Sequence, residues 1–167
     1  MPRVLQTFQP LTGDPLALAA AFEGDPEIWL QEPRRDGATE RWLVTLHAGA
    51  LHHTVRLRIG DPWRSGPVRW RSLSWDPVGA AGDTTPTNRL LPSFDGELGL
   101  HAGGRGQVPL VLDGRYQPPG GRLGAAVDMI ALHRLARSTA TSLVADTATK
   151  LSARAEVVEA SWSSPPD

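Results

Sequence analysis

The feature that most constrains this chain is an uninterrupted stretch near its C-terminal end, residues 123–154. It contains no proline, and no glycine after Gly124, so nothing in it breaks a helix. At about 1.5 Å per residue, a single helix of this length spans roughly 50 Å, enough to lie across a whole curved sheet. Residues 117–121 contain two prolines and two glycines, which end the preceding segment. We therefore predict one long C-terminal helix around which the rest of the chain folds.

The apolar residues of this segment fall on two helical stripes, which predicts burial on more than one side. The first stripe occupies the early turns and contains Leu123, Val127, Ile130 and Ala131. The second drifts around the helix axis and contains Leu132, Leu135, Thr139, Leu143, Thr147 and Leu151.

The N-terminal part predicts one strand followed by two short helices. Residues 4–9 alternate in the manner of a strand that ends at Pro10. Asp14 followed by Pro15 is a helix N-cap with proline at the first helical position, and Asp25 followed by Pro26 repeats the device.

The middle of the chain predicts strands joined by turns. Apolar residues alternate within residues 41–48, 53–59, 68–75, 90–101 and 108–116, and the shift of phase between Trp70 and Leu73 predicts a β-bulge. Neighbouring strands without helical crossovers form an antiparallel sheet. We predict an α+β fold in which a curved antiparallel sheet of about six or seven strands grips the long C-terminal helix, with two short helices after the first strand.

Composition and charge exclude several classes of protein. The 167 residues predict a single domain, placed at residues 1–160, with a Ser- and Pro-rich flexible tail at 161–167. The 17 basic and 18 acidic residues give no electrostatic case for nucleic acid, and the absence of cysteine excludes disulfides and thiolate sites. There is no apolar run for a signal peptide or membrane span, so we expect a cytoplasmic protein without membrane insertion. We also expect no cofactor.

Two short segments of the sequence resemble those of a known protein family. Residues 114–121 read GRYQPPGG and are followed by Leu123, Asp128, His133 and Thr139, while residues 91–96 read LPSFDG. These segments resemble the last strands and the strand-to-helix junction of uncharacterised bacterial proteins of the START-like, or SRPBCC, helix-grip superfamily. The resemblance implies a cavity between the sheet and the C-terminal helix that accepts hydrophobic or amphipathic small molecules.

Inward strand positions supply candidate lining residues for such a cavity. They are Trp42, Leu46, Val55, Trp70, Leu73, Phe94, Leu98, Leu112 and Tyr116. From the long helix we add Ile130 and Arg134, which share one helical face. The alternative is that these residues fill a packed core, as inward residues do in any sheet protein.

Tyr116 and Arg134 are the candidates for polar contacts in the cavity. Tyr116 is the only tyrosine and needs a hydrogen-bond partner if buried, and Arg134 needs a paired acid, solvent or a ligand. With a histidine they could polarise a carbonyl group, as a polyketide cyclase or aromatase requires. The simpler interpretation is an internally paired arginine and a tyrosine that closes the core.

Two further kinds of site are weaker candidates. His52 and His53 are adjacent on a strand and point to opposite faces, so we expect no metal site. Six arginines, with Arg56 and Arg58 on one face of a predicted strand and Arg69 and Arg71 on one face of another, could form a basic outer face for RNA, an anionic partner or lipid head groups, against the alternative of an ordinary solvated surface. They are Arg41, Arg56, Arg58, Arg64, Arg69 and Arg71. Binding, carriage or sensing of a small hydrophobic ligand remains the first choice.

Overall fold

The computed structural model describes residues 2–37, 40–78, 91–104, 106–118 and 129–163. It contains eight strands, two α-helices and one 3₁₀ helix. In chain order these are β1 (Arg3–Leu11), α1 (Pro15–Glu23), the 3₁₀ helix (Pro26–Ile28), β2 (Arg34–Arg35), β3 (Trp42–Ala48), β4 (Leu51–Ile59), β5 (Trp63–Ser65), β6 (Val68–Pro77), β7 (Ser93–His101), β8 (Val108–Gln117) and α2 (Met129–Ser163).

The strands form one antiparallel sheet, and the predicted fold class is confirmed. The order across the curved, open sheet is β1-β8-β7-β6-β4-β3-β2, with β5 paired to β6. Six of the eight strands correspond to the predicted ones. The other two, β2 and β5, are two and three residues long, too short for alternation to reveal them.

Both predicted N-terminal caps are present. The Asp14 carboxylate accepts hydrogen bonds from the first-turn amides of α1, and Asp25 accepts one from the amide of Glu27. The second element is a three-residue 3₁₀ helix. β1 continues past its predicted end through Pro10, which an edge strand tolerates because one side of it needs no amide donors.

The long helix is confirmed from Met129 and extends beyond its predicted end to Ser163. The predicted turns at residues 123–128 lie outside the described residues, as does the loop at 79–90. The first three residues of the predicted flexible tail are helical, and 164–167 are not described. The second stripe is buried apart from a half-buried Leu135, whereas Ile130 and Ala131 are exposed, so burial of the first stripe is wrong at those two positions.

The predicted bulge in β6 is wrong. Pairing with β7 is continuous from Val68 opposite His101 to Trp75 opposite Phe94. The phase shift in the sequence arises because Arg71 is a buried inward residue, so the inward set includes a charged side chain that the pattern assigns outward.

Register defines the two faces of the sheet. Tyr116 on β8 contacts His133 on α2, and Thr7 on β1 contacts Thr141, so the face that carries Tyr116 and Thr7 is the one turned toward α2. We call it the inner face and the opposite one the outer face. The hydrophobic core lies between the inner face, α1 and α2.

Candidate functional site

One row of inward side chains crosses five neighbouring strands. Trp42, Leu57, Trp75, Phe94 and Tyr116 are directly opposite one another in the register, and all five are buried. Directly opposite residues share a face of the sheet. We call these five residues the aromatic row, since four of them carry aromatic rings.

The centre of the aromatic row is a close stack. The rings of Trp75 and Phe94 have centroids 4.4 Å apart and planes inclined by 14°. The Phe94 ring extends over Gly96 and Gly114, where a Cβ built on either glycine would lie within 2.9 Å of the ring. The ring therefore lies flat on the sheet because two facing glycines leave room for it.

The long helix lies closest to the borders of the curved sheet. In the described part of the chain, α2 packs mainly on α1, β1, β8 and β3, while the central strands β4, β6 and β7 approach it less closely. Its buried face is rich in small residues, among them Ala136, Ala140 and Ala148. The aromatic row lies on the face of the sheet that is turned toward this helix, with the Phe94 ring against the two glycines and Trp75 stacked on it.

The polar atoms of this interior are unevenly satisfied. The Trp75 indole donates to the carbonyl of Pro92 at 3.1 Å, and the Tyr116 hydroxyl lies 3.0 Å from Nδ1 of His133. By contrast, the buried indole nitrogen of Trp42 and the buried hydroxyl of Thr139 have no hydrogen-bond partner among the described residues. Buried polar groups normally have partners, so the Trp42 indole can donate a hydrogen bond to another molecule and the Thr139 hydroxyl can donate or accept one.

Arg71 is buried next to this layer and donates four hydrogen bonds to the protein. Its guanidinium donates to the carbonyls of Phe22, Glu23, Gly24 and Gly60 at 2.6–3.0 Å, three of them at the end of α1. Burial lowers the pKa of Arg71 from its ordinary value, against the opposing effect of nearby carboxylates. A cation among helix C-terminal carbonyls is well placed electrostatically.

Eight of the eleven predicted ligand-binding residues lie buried on the inner face. These eight are Trp42, Leu46, Val55, Leu73, Phe94, Leu98, Leu112 and Tyr116. Three lie elsewhere: Trp70 is half-buried on the outer face opposite Gly99, and Ile130 and Arg134 are exposed on α2. Contact between the inward eight and a ligand remains a prediction.

Of the two predicted polar contacts for a ligand, Tyr116 lies in the interior and contacts His133, whereas Arg134 is exposed. Arg134 and Ile130 share a helical face as predicted, but that face is exposed, and Arg134 lines a shallow surface depression with Arg137. His133 is half-buried and lies three and seven residues before the buried Ala136 and Ala140. That spacing places His133 beside a buried stripe, so the sequence could have indicated that His133 faces the interior.

The predicted arginine face is not a single surface. Arg56 and Arg58 occupy the outer phase of β4, whereas Arg69 and Arg71 occupy the inner phase of β6. Arg71 is buried, and Arg64 pairs with Glu23, which raises the pKa of Arg64. The six arginines are therefore divided between two faces and bound largely to protein acceptors.

The histidine pair separates as the strand geometry predicts. His53 is buried on the inner face, while His52 is exposed and meets His47 edge-to-face with ring centroids 4.7 Å apart. Within the described ranges, no group of three or more His, Asp or Glu residues is arranged to hold a metal ion. No described helix is long and apolar enough to cross a membrane.

Two solved structures superpose on most of this chain. A conserved protein from Geobacillus kaustophilus is 12% identical and has a TM-score of 0.55, with 93% of this chain and 96% of that one covered. The Zhui aromatase/cyclase from Streptomyces sp. R1128 is 11% identical and has a TM-score of 0.56, with 93% and 94% covered. This chain has the helix-grip fold.

A START superfamily protein from Mycobacterium smegmatis is 10% identical, with 93% and 98% of the chains covered and a TM-score of 0.48. No family model matches the chain, and a search of curated protein sequences finds no match. The helix-grip fold that the resemblance implies is confirmed by the two superpositions with TM-scores of 0.55 and 0.56. A helix-grip fold does not by itself determine function, which depends on the residues of the site.

Proposed function

We propose that this START-like protein binds, carries or senses a small hydrophobic or amphipathic molecule between the inner face of the sheet and α2. The observation that carries the proposal is the arrangement of that interior. The helix approaches the borders of the sheet more closely than its centre, and the aromatic row lies on the sheet face turned toward the helix. Apolar and aromatic walls with a few polar atoms are typical of small-molecule sites.

The unpartnered interior atoms support the same proposal. An indole N–H and a hydroxyl that are buried without partners cost free energy in the empty protein. A ligand that supplies hydrogen-bond partners to Trp42 and Thr139 recovers that cost on binding. The stacked rings of Trp75 and Phe94 offer such a ligand a flat apolar surface.

Titration with Nile red, an uncharged dye that fluoresces in apolar surroundings, tests the proposal. We expect saturable binding at one site per chain. Ala136 is buried one helical turn from His133, so the Ala136→Leu variant narrows the interior and should weaken binding by about fivefold or more. The matched control is Ala153→Leu, at an exposed position of the same helix, which should bind as the wild type does.

A filled core gives a different result. If the wild-type protein shows native circular dichroism and no saturable dye binding, the proposed function is wrong. Equal binding by the Ala136→Leu variant would place the dye outside the space between sheet and helix and would also contradict the proposal.

The second candidate is a cyclase- or aromatase-like enzyme, favoured by the Tyr116–His133 contact. A hydroxyl 3.0 Å from an imidazole nitrogen can pass a proton to a ligand carbonyl. Mass spectrometry of an aromatic poly-ketone incubated with the protein would detect loss of water. Turnover that the Tyr116→Phe and His133→Gln variants abolish, with dye binding retained, supports this activity, and absence of turnover with a bound poly-ketone contradicts it.

A further inference from the structure

The described interior offers hydrogen bonds to a ligand but no spare cation. Its buried polar or ionisable residues are His53, Arg71, Thr139 and Thr147. The guanidinium of Arg71 already serves four backbone carbonyls, and His53 already takes part in an interaction within the chain. The basic groups at the border of this interior also have partners: Arg69 pairs with Glu23, Arg35 pairs with Glu27, and the His133 ring contacts the Tyr116 hydroxyl. A carboxylate that entered this layer would therefore have to displace existing contacts to find a counter-charge.

Burial of an unpaired carboxylate is costly, because water solvates the charge far better than aromatic and aliphatic side chains do. A neutral oxygen loses much less on the same transfer and regains it through a single hydrogen bond. The interior therefore favours neutral ligands over carboxylates of the same shape.

Trp42 supplies the hydrogen bond that a neutral ligand needs. It is the first residue of the aromatic row and is 5% exposed, and its indole nitrogen is fully buried without a partner among the described residues. Indole N–H is a donor only, so its partner must be an acceptor atom. The guanidinium of Arg35 lies over the indole ring, 5.1 Å from its centroid, and so keeps the ring in place without using the N–H.

The rest of the aromatic row determines the shape of the ligand. Trp75 and Phe94 stack on each other two and three strands away from Trp42, and Trp75 has its own acceptor in Pro92. A flat apolar group can lie along these rings while an acceptor atom at its end reaches Trp42. Aromatic groups gain contact energy beyond area burial when they stack in this way.

We propose that this site, which rests on the proposed ligand-binding function, selects uncharged aromatic compounds that carry a carbonyl-type acceptor, and that Trp42 is the residue that recognises the acceptor. Carboxylate amphiphiles such as fatty acids are then poor ligands. Trp42 is a specificity-determining residue in this proposal.

Displacement of Nile red by three matched naphthalenes tests the charge preference. Acetylnaphthalene has a neutral carbonyl, naphthoate has a carboxylate at the same place, and ethylnaphthalene has neither. We expect acetylnaphthalene to compete at a concentration about tenfold lower than naphthoate, because an unpaired buried charge costs more than a neutral oxygen.

The Trp42→Phe variant tests the recognition residue, since it removes the N–H and keeps an aromatic ring. It should weaken the binding of acetylnaphthalene by about fivefold and leave the binding of ethylnaphthalene unchanged. The control is Trp63→Phe, at an exposed indole whose loss should alter the binding of neither compound. If Trp42→Phe fails to fold, the Trp42→Met variant replaces it, since it also removes the N–H and keeps a large apolar side chain, and the charge comparison on the wild type stands by itself.

The outcomes separate this inference from the function on which it rests. If neither dye nor naphthalene binds the folded protein, ligand binding itself is wrong. If the dye binds and naphthoate competes as well as acetylnaphthalene, or if acetylnaphthalene does not compete, only the charge preference is wrong. If acetylnaphthalene competes better than naphthoate but equally in wild type and Trp42→Phe, the assignment of Trp42 is wrong.

Discussion

The side chain of Arg71 donates a hydrogen bond from Nε to the main-chain carbonyl of Phe22, 3.0 Å away, and so attaches β6 to the C-terminal end of α1. The last carbonyls of a helix have no partners within the helix. Arg71 supplies them from a neighbouring strand, and its guanidinium lies 5.8 Å from the centroid of the Phe22 ring. One buried arginine therefore ends a helix and positions it on the sheet.

We predict that Arg71→Met lowers the free energy of unfolding by about 3 kcal/mol or more, because four carbonyls lose their donor. Arg71→Lys should lose most of the same stability, since an ammonium cannot span four acceptors arranged around a planar fork. Urea denaturation followed by tryptophan fluorescence measures both. The control is Arg58→Met, at an exposed arginine of β4, which should change stability by no more than about 0.5 kcal/mol. Equal unfolding midpoints for the Arg71 and Arg58 variants would contradict this role.

Arg71 also shows why the alternation of apolar residues predicted most of the sheet but gave the wrong face to the first residues of β6. Period-two patterning works where inward residues are apolar, as on β3, where Trp42, Val44 and Leu46 are all buried. On β6 the inward set begins with arginine, because the end of α1 needs donors there. No local pattern contains that requirement, which comes from a helix some fifty residues earlier in the chain.

The helices were predictable for a local reason. Asp14 and Asp25 each precede a proline and each cap the element that follows. The sequence alone therefore shows both the capping residue and the first residue of each helical element. The long helix was predictable from the absence of breakers, but its exposed face was not. Ile130 is apolar and 64% exposed, and helical periodicity alone does not tell which of two stripes meets the sheet.

The candidate site was predictable as a set of inward residues and not as a set of polar contacts. Tyr116 needed a partner, and sequence spacing could not identify His133 as that partner across 16 intervening positions. The choice depends on how the helix is rotated about its axis when it packs on the sheet. The unpaired nitrogen of Trp42 is likewise a property of the assembled interior.

Two facing glycines under Phe94 make a second prediction. A Cβ on Gly114 would lie 2.5 Å from the carbonyl oxygen of Asp95 and 2.6 Å from both Cα of Gly96 and the Phe94 ring. The Gly114→Ala variant should therefore lose about 2–3 kcal/mol of stability through overpacking. Thermal or urea unfolding measures the loss.

The matched control for Gly114→Ala is Gly104→Ala, since an added Cβ at Gly104 meets no atom within 4 Å. We expect that variant to keep the wild-type midpoint within about 0.5 kcal/mol. A Gly114→Ala protein as stable as its Gly104→Ala counterpart would mean that the Phe94 ring does not lie against the sheet as described.

Thr139 gives a prediction of opposite sign. Its hydroxyl is buried without a partner among the described residues, so Thr139→Val removes an unsatisfied polar group and should raise the stability of the ligand-free protein by about 1 kcal/mol. The control is Thr149→Val on the same helix, where the exposed hydroxyl already bonds to the carbonyl of Ala145 and no gain is expected. A Thr139→Val protein less stable than the wild type would indicate that the hydroxyl has a partner in solution.

The hydrogen bond between Tyr116 and His133 connects β8 to the first described turns of α2, and a double-mutant cycle measures its strength. The Tyr116 ring is buried and its hydroxyl lies 3.0 Å from Nδ1 of His133. Tyr116→Phe and His133→Ala should each destabilise the protein. Their combination should cost less than the sum of the two, with a coupling free energy of about 1 kcal/mol, because either single change already breaks the bond.

Additive losses in that cycle would mean that the two side chains do not interact, and the proton-transfer pair of the second candidate function would fail with them. Tyr116→Phe also serves the binding experiments, since it keeps the ring in the aromatic row. If the row binds a ligand through its flat surface, this variant retains Nile red binding while the coupling to His133 is lost. Loss of dye binding in Tyr116→Phe would instead place a polar contact of the ligand at the hydroxyl, at the opposite end of the row from Trp42.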